Sequence, residues 1–213
     1  MMNKIFILLK REIFILMQNI SSYLFIVFTF PIIIYLFLIN PFFGLLKSSS
    51  GMSYLYHGIP AVLFLCSLIA SFVLPLLIIK RDRYDSDYFY FLCSLNINAS
   101  NYSIYIIFAS LLFSYIHFFV SLFLIVQLSG DIIITWIQLI YFSLVIFPSS
   151  LLFCLLGLLC SNFIKNIYSI IMSSIFLFLF LAFGIGSFIP IEYFSDKYSY
   201  VVESYNLIFH LFN

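Results

Sequence analysis

Charged residues are what this sequence has fewest of. Only 8% of its 213 residues are Asp, Glu, Lys or Arg, whereas 65% are hydrophobic and the mean hydropathy is +1.21. A soluble domain has about 25% charged residues, and a chain of this length cannot bury so much apolar surface in one aqueous core. The composition therefore excludes a water-soluble enzyme and a disordered chain. A net charge of +1 leaves no basic surface for nucleic acid.

Patterns that hold metals, nucleotides or catalytic groups are missing as well. The four cysteines show no Cys-x-x-Cys spacing, and the sequence contains no Gly-x-x-x-x-Gly-Lys-Ser/Thr motif with which it could itself hold ATP phosphates. A membrane-embedded enzyme would need a paired nucleophile and base or a metal cluster, and the sequence suggests neither. We therefore expect no catalytic residue, no metal and no cofactor in this chain.

Long uncharged stretches are what the sequence has instead. Five stretches of 34, 32, 43, 33 and 26 residues contain no charged residue. Because a membrane-spanning helix needs about 20 apolar residues, and because lipid offers no partner for an exposed backbone amide, each stretch predicts one spanning helix. The predicted spans are 21–40, 59–80, 102–128, 133–160 and 167–188. The fold class is thus an all-α membrane protein with one transmembrane domain over residues 1–213.

The lysines and arginines predict how the chain is oriented. Seven of the nine fall on one side of the predicted spans, and only Lys47 and Lys197 fall on the other. Lys and Arg are in excess on the cytoplasmic side of membrane proteins. We therefore expect a cytoplasmic N-terminus in the cell inner (plasma) membrane, and an extracytoplasmic segment over residues 189–213.

Residues 3–19 form the first predicted cytoplasmic feature. Lys4, Arg11 and Gln18 recur every seven residues and share one helix face, while apolar residues fill the opposite face. This pattern is typical of an amphipathic helix along the membrane surface. It is either a plain anchor or an interface helix that abuts a cytoplasmic partner. The residues proposed for that interface are Lys4, Lys10, Arg11 and Glu12.

Residues 80–100 form the second predicted cytoplasmic feature. Six of the 17 charged residues lie between Lys80 and Asp87, and a run of aromatic residues follows them. The segment is either an ordinary positively charged loop or a short docking helix, because protein interfaces are enriched in aromatic residues and Arg. The residues proposed for docking are Arg81, Asp82, Arg83, Tyr88 and Phe89.

The end of the fifth predicted span contains helix-breaking residues. Gly184 and Gly186 precede Pro190 there. They indicate either a break after which the chain turns back as an external re-entrant segment, or a plain helix end.

The order of these features resembles the permease subunits of ABC-2 type exporters. Leu9-Lys-Arg-Glu12 resembles the interface helix of that family, and Lys80-Arg-Asp-Arg83 with its aromatic segment resembles the loop that contains the coupling helix. Gly186-Ser-Phe-Ile-Pro190 is similar to the Gly-x-x-x-Pro that follows span five in the family.

The resemblance implies a function and a set of partners. It implies a permease that forms the substrate path as a homo- or heterodimer and is coupled through residues 81–93 to a separate cytoplasmic ATPase, which binds the ATP and magnesium. The family has six spans and five are predicted here, so a non-transporting structural or degenerate subunit is the alternative. A haem-export subunit, with His117 as the candidate ligand, is an alternative within the family. The cargo, whether glycan, lipid, drug or haem, stays open.

Overall fold

A computed structural model describes residues 2–43, 54–84, 86–129, 135–164 and 166–184, together with Phe188, Ser195 and Ser199. Over these residues the chain is helical and contains no strand. Four helices are long and apolar enough to cross a membrane: Ile20–Ile39, Gly58–Tyr84, Ala99–Ser129 and Trp136–Cys160. The prediction of an all-α chain is confirmed for the described residues, and four of their helices are compatible with membrane spans.

The described residues form eight α-helices. The helices are α1 Met2–Gln18, α2 Ile20–Ile34, α3 Asn40–Phe43, α4 Tyr54–Tyr84, α5 Ser86–Ser94, α6 Ala99–Ser129, α7 Trp136–Cys160 and α8 Ile167–Leu179. Two π-helical turns, Tyr35–Ile39 and Phe180–Gly184, continue α2 and α8.

Polar side chains set several helix boundaries. α7 begins with a capping box in which Thr135 and Gln138 satisfy each other's backbone amides. α8 begins where the Ser169 amide donates to Asn166 Oδ1 at 2.6 Å. Between α5 and α6, Asn96 adopts a left-handed conformation with φ of 46°, a region that Asn tolerates better than most residues.

α4 is the central helix of the bundle. Within its most apolar stretch of 18 residues 72% of the residues are buried, against 28% to 39% in the corresponding stretches of the other three long apolar helices. It packs chiefly against α6 and α7. Between Gly58 and Ile79 α4 has no charged residue on any side, as is typical of a helix that neighbours surround.

Small and hydroxylated residues let α4, α6 and α7 approach closely. Ser114 Oγ of α6 lies 2.6 Å from Ser150 Oγ of α7 and 3.1 Å from the Ser67 carbonyl oxygen of α4. A Cβ atom on Gly157 would lie 2.5 Å from the Phe72 carbonyl oxygen. Small residues and interhelical hydrogen bonds of this kind replace the hydrophobic effect as the packing force between helices in lipid.

The bundle has two ends of different character. α4 ends and α6 begins at one end, where α5 joins them and α1 packs through Leu8 against Ile78 and Ile106. We call this the charged end, because every charged residue of the described segments lies on α1, on α5 or after Ile79 in α4. The opposite end contains the C-terminus of α6 and the N-terminus of α7.

Only part of the fifth predicted span lies in the described structure. The apolar helix there covers Ile167–Phe183, shorter than the four spanning helices. Gly184 ends the π-helical turn, while Gly186 and Pro190 lie outside the described residues, as does nearly all of 189–213. A fifth span and a re-entrant segment therefore stay predictions.

Candidate functional site

Four charged side chains from two helices meet at the charged end. Arg81 of α4 faces Glu12 of α1 in a two-pronged ion pair, with its Nη2 and Nη1 atoms 2.5 Å and 3.0 Å from the two carboxylate oxygens. Arg11 of α1 reaches back to α4, where its Nη2 lies 3.0 Å from Asp82 Oδ2. Each of the two helices thus supplies one arginine and one carboxylate to the ion pairs between them. Paired N–H donors on a carboxylate are among the stronger hydrogen bonds in proteins.

Two tyrosines of α6 complete the arrangement. The Tyr105 hydroxyl donates to Glu12 Oε1 and accepts from Arg11 Nη2 at 3.2 Å. The Tyr102 hydroxyl donates to Asp82 Oδ2 at 2.9 Å. We call these six residues the charge cluster. It joins α1, α4 and α6 in one hydrogen-bonded network.

The charge cluster is buried and balanced in charge. Glu12 is 5% exposed and Asp82 is 2% exposed. Isolated charges at that depth would be costly, but two arginines and two carboxylates offset each other. For Glu12 burial alone would raise the pKa, yet the hydrogen bonds and charge of Arg81 and the hydrogen bond from Tyr105 outweigh burial and lower the pKa below its usual value.

α5 lies across the charge cluster through its aromatic residues. The Arg81 guanidinium is 4.8 Å from the ring centroid of Tyr88. The Arg11 guanidinium is 5.5 Å from the Tyr88 ring and 5.6 Å from the Phe91 ring. These are cation–π distances, and they hold one face of α5 against α1 and α4. The other face presents Phe89 and Tyr90, which are 51% and 70% exposed.

The residues predicted to dock an ATPase fall into two groups. Arg81 and Asp82 belong to the buried charge cluster, and Tyr88 is half-buried above it. Arg83 and Phe89 are exposed. Only the second pair is therefore free to contact another molecule in this structure.

The residues predicted for the interface helix also divide. Arg11 and Glu12 turn into the bundle, so Arg11 does not lie on a solvated outer face as the seven-residue spacing suggested. Lys4 Nζ donates to the Asn96 carbonyl oxygen at 2.9 Å and ties α1 to the turn after α5. Lys10 is exposed.

The charge cluster was not predicted from the sequence. Tyr102 and Tyr105 were not singled out, although they are three residues apart at the start of an apolar helix. The available signal was the dipeptide of an arginine followed by an acidic residue, which occurs once in α1 and once in α4.

The described residues hold no arrangement suited to metal binding. No three His, Cys, Asp or Glu side chains among them are close enough to hold an ion. His117 of α6 packs edge-on against Tyr23 of α2, with ring centroids 5.9 Å apart. In the charge cluster the carboxylates are hydrogen-bonded and the arginines lie over aromatic rings. These contacts hold the helices together.

Comparison of the chain with models of protein families, with curated proteins and with solved structures finds no match.

Proposed function

We propose that this chain is the permease subunit of an ATP-driven exporter of the ABC-2 type. The observation that carries the proposal is the exposed aromatic face of α5, held on the buried charge cluster at the charged end of an apolar helix bundle. In this proposal a separate cytoplasmic ATPase binds the ATP and magnesium. Two permease copies form the substrate path between them.

The outer face of α5 has the composition of a docking surface. Phe89, Tyr90 and the nearby Tyr84 are all exposed, and Arg83 adds a charge beside them. Aromatic residues and Arg are enriched in protein interfaces and among the residues that dominate binding energy. Because Lys and Arg concentrate at this end, the positive-inside rule favours a cytoplasmic location for it, where an ATPase could reach it.

The inner face of α5 offers a way to pass movement to the membrane helices. Tyr88 and Phe91 lie against Arg11 and Arg81, which in turn link α1 to the central helix α4. A displacement of α5 by an ATPase would be passed through the charge cluster to α4 and α6. Packed helices that slide or hinge as units are the usual way in which such movement spreads.

This geometry refines the proposed contact residues. Arg83, Phe89 and Tyr90 are proposed to touch the ATPase. Arg81, Asp82 and Tyr88 are proposed to support α5 from beneath. The N-terminus is proposed to be cytoplasmic and the membrane to be the plasma membrane, as the distribution of Lys and Arg suggests.

Co-purification from detergent tests the proposal. The wild type is compared with a Phe89→Ala/Tyr90→Ala variant and with a matched control, Trp136→Ala/Tyr141→Ala, which removes two exposed aromatic residues at the opposite end. We expect a Walker-motif ATPase to co-purify with the wild type and the control, and to fall at least about tenfold in the α5 variant, as loss of two interface anchors would cause.

Two results would contradict this reading. Equal recovery of the ATPase from the α5 variant would remove α5 as the docking element. Absence of an ATPase from the wild-type sample would leave the exporter without an energy source and favour a non-transporting structural subunit.

A further inference from the structure

A groove lies between α1 and α6 at the charged end. It has a volume of about 340 Å³. Its walls are formed mainly by Phe6, Leu9 and Ile13 of α1 and by Ala109, Leu112 and Phe113 of α6. No residue of α5 lines the groove, and Glu12 is the one residue of the charge cluster that borders it.

The groove opens onto an apolar outer surface. Phe6 is 69% exposed at its rim, and Ile13 and Leu112 are also exposed. Phe14 and Met17 continue the exposed apolar face of α1. An amphipathic helix with such a face is typical of the boundary between lipid headgroups and acyl chains.

Lys10 is the single charged residue on this face of α1. It shares the face with Phe6, Ile13, Phe14 and Met17 and is exposed. It makes no ion pair with any residue in the described part of the chain. Its hydrocarbon stem contributes to the groove wall, and a lysine in this position can extend its ammonium group toward the headgroup level.

The nearby carboxylates do not compensate the charge of Lys10. Glu12 also borders the groove, but its oxygens accept from Arg81, Arg11 and Tyr105. Asp82 is held by Arg11 and Tyr102. Among the described residues Lys10 therefore has no counter-ion, and its positive charge lies at the mouth of an apolar groove.

We propose that this groove binds one acyl chain of an anionic phospholipid whose phosphate pairs with Lys10. The apolar walls accept the chain, and the ammonium group selects the charge of the headgroup. The inference requires the apolar helices to lie in a bilayer, and it is independent of any ATPase. A zwitterionic lipid would enter the groove without the electrostatic gain that a lysine near anionic lipid provides.

Tryptophan quenching by brominated lipids tests the proposal. Trp136 is the single tryptophan, so a Trp136→Phe background allows one reporter to be placed at the groove rim by Phe6→Trp. The matched reporter is Phe123→Trp, an exposed position eleven residues, or about 16 Å, along α6 from Leu112. The full-length protein is reconstituted in bilayers with brominated phosphatidylglycerol or brominated phosphatidylcholine as the minor component.

We expect half-maximal quenching of the Phe6→Trp reporter at an about fivefold lower mole fraction of the anionic lipid than of the zwitterionic one. Lys10→Gln should abolish that preference, and Lys10→Arg should keep it. The Phe123→Trp reporter should show no preference. Both substituted groove positions are exposed, so folding should not depend on them.

Three outcomes would overturn the proposal. The first is equal quenching of the Phe6→Trp reporter by the two lipids. The second is a preference that survives Lys10→Gln. The third is a groove reporter that neither lipid quenches while the Phe123→Trp reporter is quenched, since protein, such as a second copy of the chain, would then cover the groove.

Discussion

At the scale of single residues, Glu12 connects three helices. Its carboxylate accepts from Arg81 of α4 and from Tyr105 of α6, while its backbone belongs to α1. A buried ion pair of this kind contributes little compared with apolar packing, but removing one partner leaves the other charge uncompensated. The charge cluster should therefore tolerate the loss of both partners better than the loss of one.

Replacement of Glu12 tests this expectation. Glu12→Gln should destabilise the protein by about 3 kcal/mol, because it leaves the Arg81 guanidinium half-buried without its main partner. Lys10→Gln, two positions away and exposed, is the matched control and should cost close to nothing. Thermal unfolding in detergent, followed by circular dichroism, measures both.

A double-mutant comparison measures the coupling between Glu12 and Arg81 separately from their contacts with other residues. Glu12→Gln/Arg81→Gln should recover part of the loss caused by Glu12→Gln alone. Additive costs in the double variant would mean that the two side chains are not coupled.

The charge of Glu12 also predicts a dependence on pH. Its pKa in the folded protein is lower than the ordinary value of 4.5, so its stabilising contribution is complete above that value. The contribution is lost as the pH falls below 4.5, because the unfolded chain then binds the proton first.

The stability difference between wild type and Glu12→Gln should be constant from pH 7 to 5 and should shrink below 4.5. Arg11, Arg81, Asp82 and Tyr105 are present in both proteins, so melting curves of the pair isolate Glu12. A difference that widens in acid would contradict the assignment.

At the scale of helices, α4 and α7 meet through backbone atoms at Gly157. Gly157→Ala would place a Cβ atom 2.5 Å from the Phe72 carbonyl oxygen, and neither helix can yield there by changing a rotamer. The helices must separate, so we expect a loss of about 1–3 kcal/mol.

Gly58→Ala is the matched control for that substitution. The three atoms nearest to its Cβ would all belong to the Ile39 side chain, at 3.1 to 3.4 Å. That side chain can shift, and alanine favours a helix over glycine by about 1 kcal/mol. Its melting temperature in detergent should stay near that of the wild type. Equal destabilisation by both substitutions would mean that the close approach of α4 and α7 is not limiting.

α1 shows what the periodicity of a sequence can and cannot predict about a helix. The apolar spacing predicted a helix over residues 3–19, and the structure has one over Met2–Gln18. The spacing also grouped Lys4 with Arg11 as a polar face, but Arg11 is turned toward Asp82. The sequence pattern of a helix is the same whether a charged residue faces water or a counter-ion. The rotation of α1 about its own axis could therefore not be predicted.

At the scale of the whole molecule, the orientation in the membrane can be measured with the native Cys93. This residue is exposed on α5 at the charged end, whereas Cys66 and Cys154 are buried. Cys160, which is half-buried at the end of α7, is first replaced by Ser. If the charged end is cytoplasmic, a membrane-impermeant maleimide should label Cys93 only after cells are permeabilised. A Trp136→Cys substitution in a Cys93→Ser background, at the opposite end, should be labelled in intact cells. The reverse pattern would invert the topology and remove α5 from the reach of a cytoplasmic ATPase.

The sequence by itself determined that the described part of the chain is a set of apolar helices, and it located closely the four helices that are long enough to cross a membrane. It could do so because the length of an uncharged stretch and the need to satisfy the backbone in lipid are local properties. Only the tertiary structure decided that Arg11 meets Asp82, 71 residues away, and that Arg81 meets Glu12, 69 residues away. A buried charge needs a counter-ion supplied by another helix, and which helix supplies it depends on rotation and packing that no single segment encodes.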